Sequence, residues 1–79
     1  MSLQTEFGRL VREKRKAAGY TQQSFAECVG ISCRQLCNIE RGKAQPTLAT
    51  ALRIADGLEI SLDAYKALAI ADAAESLLE

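Results

Sequence analysis

The stretch from Thr21 to Gly42, TQQSFAECVGISCRQLCNIERG, constrains the fold more than any other part of the chain. Residues that start and stop helices recur in it at short intervals. The Thr21 hydroxyl can cap the free amides of a helix's first turn. Phe25, Ala26 and Val29 then fall on one side of that helix, at i, i+1 and i+4. Gly30 closes it, because glycine takes a left-handed backbone without a Cβ clash. Ile31 turns back toward the core. Ser32 caps a second helix whose inward residues are Leu36 and Ile39, and Gly42 ends it. Ala26 is small, so the second helix can cross close above the first. Two short helices joined at a sharp turn make a helix-turn-helix.

The residue detail goes further. The pattern Thr21-Gln22, Phe25-Ala26, Gly30-Ile31-Ser32, Leu36, Ile39-Glu40-Arg41-Gly42 and Pro46-Thr47 resembles the lambda-repressor-like (Cro/cI-type, Xre-like) DNA-binding family, and within it small stand-alone controllers and repressors. Arg12, Arg15 and Gly19 match the family's first helix and its end. Leu52, Ala55, Leu58, Ile60 and Leu62 match its fourth helix and the start of its fifth. The resemblance covers roughly Phe7 to Tyr65 and leaves residues 66–79 outside. It implies an all-α fold: a compact five-helix domain over residues 1–65, with the helix-turn-helix at helices 2 and 3. The second of these helices would lie in the DNA major groove.

Length and composition agree with that reading. Seventy-nine residues make one domain with a small core, so a partner subunit is expected to add stability. One proline and much Ala and Leu favour helices. No apolar run approaches the roughly 18 residues of a membrane span, and no signal-peptide pattern opens the chain, so a cytoplasmic protein is expected. The net charge is zero, but it is unevenly spread. Through Arg53 there are nine basic and four acidic residues, a net of +5; beyond it one basic and six acidic residues give −5. A chain so polarised can turn its positive face to phosphates and leave its acidic end in solvent. Chance segregation of surface charge is the plain alternative.

Helix 1 is expected from about Thr5, as cap, to Ala18, with Phe7, Leu10, Val11 and Lys14 on one side. Gly19 ends it, and Tyr20 packs under the helix-turn-helix. The basic cluster Arg12 to Lys16 reads mainly as a solvated face. Arg15 is the exception: the resemblance implies that it pairs with Glu40 and helps present a guanidinium to the DNA backbone. Thr47 caps helix 4, Leu48 to about Asp56, with Leu48, Ala51, Leu52 and Ala55 as its apolar stripe. Gly57 ends that helix, and Leu58 and Ile60 fill the core.

Ser61 caps helix 5, and the helical pattern from Leu62 can run to the end of the chain. Leu62, Tyr65 and Leu68 or Ala69 can face the domain's own core. Ala67, Ile70, Ala71, Ala74, Leu77 and Leu78 form a second stripe, which so small a monomer has little left to cover. Residues 66–79 are therefore read as a dimerisation segment, with Tyr65 at its edge. A helix folded back on its own domain, or a frayed tail, is the alternative.

For DNA recognition, phosphate contacts set position and base contacts specify sequence. The residues that resemble family phosphate binders are Arg15, Gln22, Arg41, Lys43 and Gln45, with Gln35 close to the backbone. The base-reading positions correspond to Ser32, Cys33, Arg34, Cys37 and Asn38. Arg34 can fork onto the O6 and N7 of guanine, and Asn38 can bond adenine N6 and N7. Arg34 as a plain phosphate contact is the alternative.

Cys33 and Cys37 depart from the family's usual polar residues, and Cys28 lies on the preceding helix. Three cysteines and no histidine give no fourth ligand for zinc. An i, i+4 pair, with Cα atoms roughly 6 Å apart and poorly directed side chains, does not readily close a disulfide. Thiol sensing remains a reading; small side chains against a thymine methyl, or simply tolerated, are the plainer one. No metal and no cofactor are expected.

The expected function is sequence-specific transcriptional regulation by a homodimer on double-stranded DNA. Its two recognition helices would enter successive major grooves about 34 Å apart on an inverted-repeat operator. Repression would come from occluding RNA polymerase, and activation from an acidic patch that touches it. Controller, phage-type repressor and antitoxin all fit the resemblance. A module whose main partner is another protein, such as a toxin, is the rival class. With no histidine, phosphate-cradling glycine loop or nucleophile–base pair, an enzyme is not expected.

Overall fold

The structure is a computed structural model that describes residues 3–61 together with Asp63, Lys66, Ala67 and Ile70. Its four helices are α1 (Leu3–Ala17), α2 (Gln22–Val29), α3 (Cys33–Glu40) and α4 (Leu48–Gly57). No strand occurs among the described residues. α3 packs against both α1 and α2, and α4 packs against α2. Phe7, Val11, Phe25, Leu36 and Ile54 are the largest fully buried side chains.

The two central helices begin and end where their caps dictate. Thr21 is extended, and its hydroxyl accepts from the Ser24 amide (3.0 Å) while Ser24 Oγ accepts from the Thr21 amide (3.0 Å). Each side chain thus satisfies an amide that the helix leaves free. Gly30 closes α2 in the left-handed region (φ 75°), and the Ile31 amide reaches back to the Ala26 carbonyl (3.0 Å). Ser32 and Gln35 repeat the reciprocal arrangement at the start of α3. Gly42, at φ 71°, turns the chain out of α3, and Thr47 caps α4 by accepting from the Thr50 amide (3.2 Å).

α1 departs from expectation. It starts before Thr5, which lies inside the helix rather than at its cap. Its buried face is Phe7, Gly8, Val11 and Arg15; Lys14 is exposed and Leu10 only half-buried. Gly8 accounts for the rotation. A Cβ there would overlap the Ile39 carbonyl oxygen and press on that of Glu40, so α1 meets α3 through bare backbone.

α4 also turns a different face inward, rotated in the opposite sense. Ala51 and Ala55 are buried as expected, but Ile54 completes the face, while Leu48 and Leu52 are 69% and 43% exposed. Small residues again set the contact. The Gly57 Cα lies so close to the Phe25 ring that a Cβ would sit 3.1 Å from Phe25 Cε1. Gly57 is the last residue of α4, and the left-handed residue that follows is Glu59 (φ 57°). Leu58 and Ile60 are buried, as expected.

Four helices, not five, have described limits. Of the expected fifth, Asp63, Lys66, Ala67 and Ile70 are helical and exposed. The expectations for Leu62, Tyr65, Leu68, Ala69, Ala71, Ala74, Leu77 and Leu78 fall outside the described residues.

Candidate nucleic-acid interface

The most buried charges in the described structure tie the three N-terminal helices together. Arg15, on α1, is 6% exposed, and Glu40, at the end of α3, is 9% exposed. Arg15 Nε donates to Glu40 Oε2 (2.7 Å) and Nη2 donates to Oε1 (3.1 Å), a bidentate fork. Nη1 donates to the Tyr20 carbonyl (2.8 Å) in the turn after α1. Donation to Glu40 raises the Arg15 pKa above its usual value, against the opposing effect of burial. From α2, Gln22 Nε2 donates to Glu40 Oε1 (3.1 Å). One carboxylate therefore receives α1 and the first turn of α2.

Around this network lies an open cleft of about 600 Å³, lined by Arg12, Arg15, Lys16, Thr21, Gln22, Cys37, Glu40 and Arg41. Of the expected contact residues it gathers Arg15, Gln22, Cys37 and Arg41. Arg12 and Lys16, read from sequence mainly as a solvated face, line the same wall. The sequence signal for them was their i, i+4 spacing, with Lys16 next to Arg15.

Gln35, Asn38 and Gln45 come together elsewhere. With Thr47, Thr50 and Pro46 they line a groove of about 170 Å³ between α3 and the start of α4. Cys33 and Arg34 stand exposed on the first turn of α3, with Ser32 and Gln35 tied in the cap beside them. Lys43 is exposed on the loop and lines neither the cleft nor the groove. Tyr20 was expected to pack under the helix-turn-helix, and its ring lies 5.2 Å from that of Phe25. Its carbonyl, the third partner of Arg15, was not legible in the sequence. The three cysteines are free: Cys28 and Cys33 are exposed and Cys37 is half-buried. No group of three metal-binding side chains occurs among the described residues.

A helix-turn-helix family profile matches residues 11–65. The chain belongs to the lambda-repressor-like helix-turn-helix family. Its similarity to YazB, an uncharacterised HTH-type transcriptional regulator of Bacillus subtilis, is 47% identity over 57 residues, 72% of this chain and 83% of YazB. The cryptic phage CTXphi transcriptional repressor RstR of Vibrio cholerae is 42% identical over 50 residues, 63% of this chain and 45% of RstR. Among solved structures, the restriction-modification controller protein C.AhdI from Aeromonas hydrophila superposes with a TM-score of 0.70 at 30% identity, over 77% of this chain and 92% of C.AhdI. This helix-turn-helix protein is thus a transcriptional regulator with a DNA-binding domain, in a family of regulators rather than enzymes. Among the described residues, no helix is long and apolar enough to cross a membrane.

Proposed function

We propose that this chain is a sequence-specific regulator that binds an inverted-repeat operator in double-stranded DNA as a homodimer, in the cytoplasm. One observation carries the reading: Arg34 is exposed on the first turn of α3, and Cys37 and Glu40 of the same helix line a cleft whose walls also hold Arg12, Lys16 and Arg41. An exposed α3 suits the major groove, and the cationic wall suits the adjacent phosphates. Arg34 reads guanine O6 and N7, Asn38 reads adenine, and Ser32, Cys33 and Cys37 contact neighbouring base edges. Gln22, Gln35, Arg41, Lys43 and Gln45 meet the backbone.

The dimer rests on uncovered apolar surface. Leu48, Leu52 and Ile70 are exposed, and Ala67, three residues before Ile70, is exposed as well. Residues 66–79 complete the self-association surface, and the two recognition helices then address half-sites about one helical turn apart.

Selection of bound sequences from a random DNA pool, run with wild type and with Arg34→Ala, tests this. A palindromic motif whose guanine preference relaxes in the variant is the expected result. No enriched motif at moderate salt, where only phosphate attraction persists, would overturn the reading in favour of a protein partner such as a toxin.

A further inference from the structure

Cys37 stands apart from the other two thiols. Cys28 and Cys33 are exposed, whereas Cys37 is half-buried and lines the cleft of about 600 Å³. That volume lies within the range of small-molecule sites. Arg12, Arg15, Lys16 and Arg41 share the lining with one carboxylate, Glu40, which leaves a surplus of three positive charges around the thiol. Arg15 is taken up by Glu40, while Arg12, Lys16 and Arg41 form no ion pair among the described residues.

A free thiol in such a cleft is suited to one reaction in particular, exchange with a small disulfide. The thiolate is the attacking species. A concave surface of one charge sign concentrates solutes of the other. A disulfide that carries carboxylates is therefore drawn toward Cys37, and a cationic one is kept away. Cys33 lies one turn earlier on α3, at i, i+4, a spacing that does not readily close a disulfide. A mixed disulfide at Cys37 thus has no resolving partner on its own helix.

We propose that Cys37 is a modification site for small anionic disulfides, and that the adduct releases the protein from DNA. The Cys37 thiolate attacks one sulfur of the disulfide. An Sγ–S bond forms, the S–S bond breaks, and the departing half leaves as a thiolate with the bonding electron pair. Cys37 is oxidised and the departing half is reduced. The retained half sets its carboxylates against Arg12, Lys16 and Arg41, the cations that DNA phosphates would otherwise meet. An external thiol reverses the step. The release from DNA rests on the DNA-binding reading; the modification itself does not.

The probes are oxidised glutathione, whose halves carry net negative charge, and cystamine, whose halves are cationic. Each is incubated with the reduced chain at low and at high salt, and peptide mass spectrometry times the adducts on all three cysteines. At low salt, oxidised glutathione is expected to modify Cys37 at least about tenfold faster than Cys28, although Cys28 is the more exposed. The preference is expected to vanish with cystamine or in high salt. Selected operator DNA is then titrated by fluorescence anisotropy, each protein against itself before and after a treatment that modifies only Cys37 in wild type. Wild type is expected to lose affinity about tenfold or more and to regain it on reduction with dithiothreitol. Cys37→Ser, whatever its starting affinity, is expected to show no change. Thermal melting of the treated protein is expected to match that of the untreated one.

Modification that follows exposure, with Cys28 and Cys33 ahead of Cys37 for both reagents, would overturn the proposal. A Cys37 adduct that leaves operator affinity unchanged, or one that unfolds the chain, would overturn it as well. Failure of wild type to select any operator would instead overturn the DNA-binding reading, and the adduct map would still decide the modification site.

Discussion

The backbone of Gly8 rests against the carbonyl oxygen of Ile39, with no room for a methyl group between them. α1 is thereby held against the last turn of α3, one helical turn above Val11 and two above Arg15. Gly8→Ala is expected to force the helices apart and to destabilise the fold by about 2 kcal/mol, the ordinary cost of overpacking. Urea denaturation of the two proteins measures it. An unchanged midpoint would show that α1 shifts without cost.

The Arg15–Glu40 pair is the second point of sensitivity. Glu40→Ala leaves a buried guanidinium without its counter-charge, and a loss of about 3–5 kcal/mol is expected. The Arg15 pKa is raised on folding, so the stability it contributes is full below the unfolded value and fades only as pH climbs through the still higher folded one. The stability difference between wild type and Arg15→Met is therefore expected to stay constant from neutral pH to about pH 10. Denaturation at several pH values checks this, and a difference that shrinks in that window would contradict it.

Glu59 offers a change in the opposite direction. Its φ of 57° places an L side chain in the left-handed region, where the Cβ crowds the following carbonyl. Glu59→Gly is expected to stabilise the protein by about 1 kcal/mol, visible as a higher melting temperature. A lower one would mean that the Glu59 side chain makes contacts worth more than the strain.

On the dimer reading, Leu52→Asp is expected to weaken self-association more than tenfold, about 1.4 kcal/mol, without unfolding the monomer, because Leu52 is already exposed. Truncation after Tyr65 is expected to do the same by a different route. Sedimentation equilibrium reads both. If both variants sediment like the full chain, the apolar surface serves some other partner.

On the proposed reading, the thiols distinguish the docked face from the rest of the surface. Cys33 and Cys37 lie on α3 and Cys28 lies on α2, with Cys28 and Cys33 exposed. Operator DNA is expected to slow alkylation of Cys33 and Cys37 several-fold and to leave Cys28 unaffected, as read by mass spectrometry of iodoacetamide-treated complexes. Equal protection of all three would place the duplex on a different face.

Local signals were legible in the sequence where one residue type has one physical use. Thr21, Ser32 and Thr47 are caps, Gly30 is the left-handed turn, and Phe25, Val29, Leu36 and Ile39 are core. The faces of α1 and α4 were legible only in part: Phe7, Val11, Ala51 and Ala55 are buried as expected, but periodicity weighs large apolar residues and passes over glycines such as Gly8 and Gly57. Gly8 and Gly57 let backbone lie close against its neighbours, while Lys14, Leu48 and Leu52 face outward. At the candidate interface, the Arg15–Glu40 pair came from family resemblance. The hydrogen bond from Gln22 to Glu40 spans eighteen positions and depends on where three helices meet, which no local pattern encodes.

α3 is only eight residues long, too short to hold as an isolated helix in water. Its shape is secured by the Ser32–Gln35 cap at one end, Glu40 at the other and Leu36 and Ile39 beneath. Cys33 and Arg34 carry none of that duty. On the proposed reading, a library randomised at these two positions would retain a folded domain while its preferred operator changed, and the same scaffold would take a new address in DNA from two rewritten side chains.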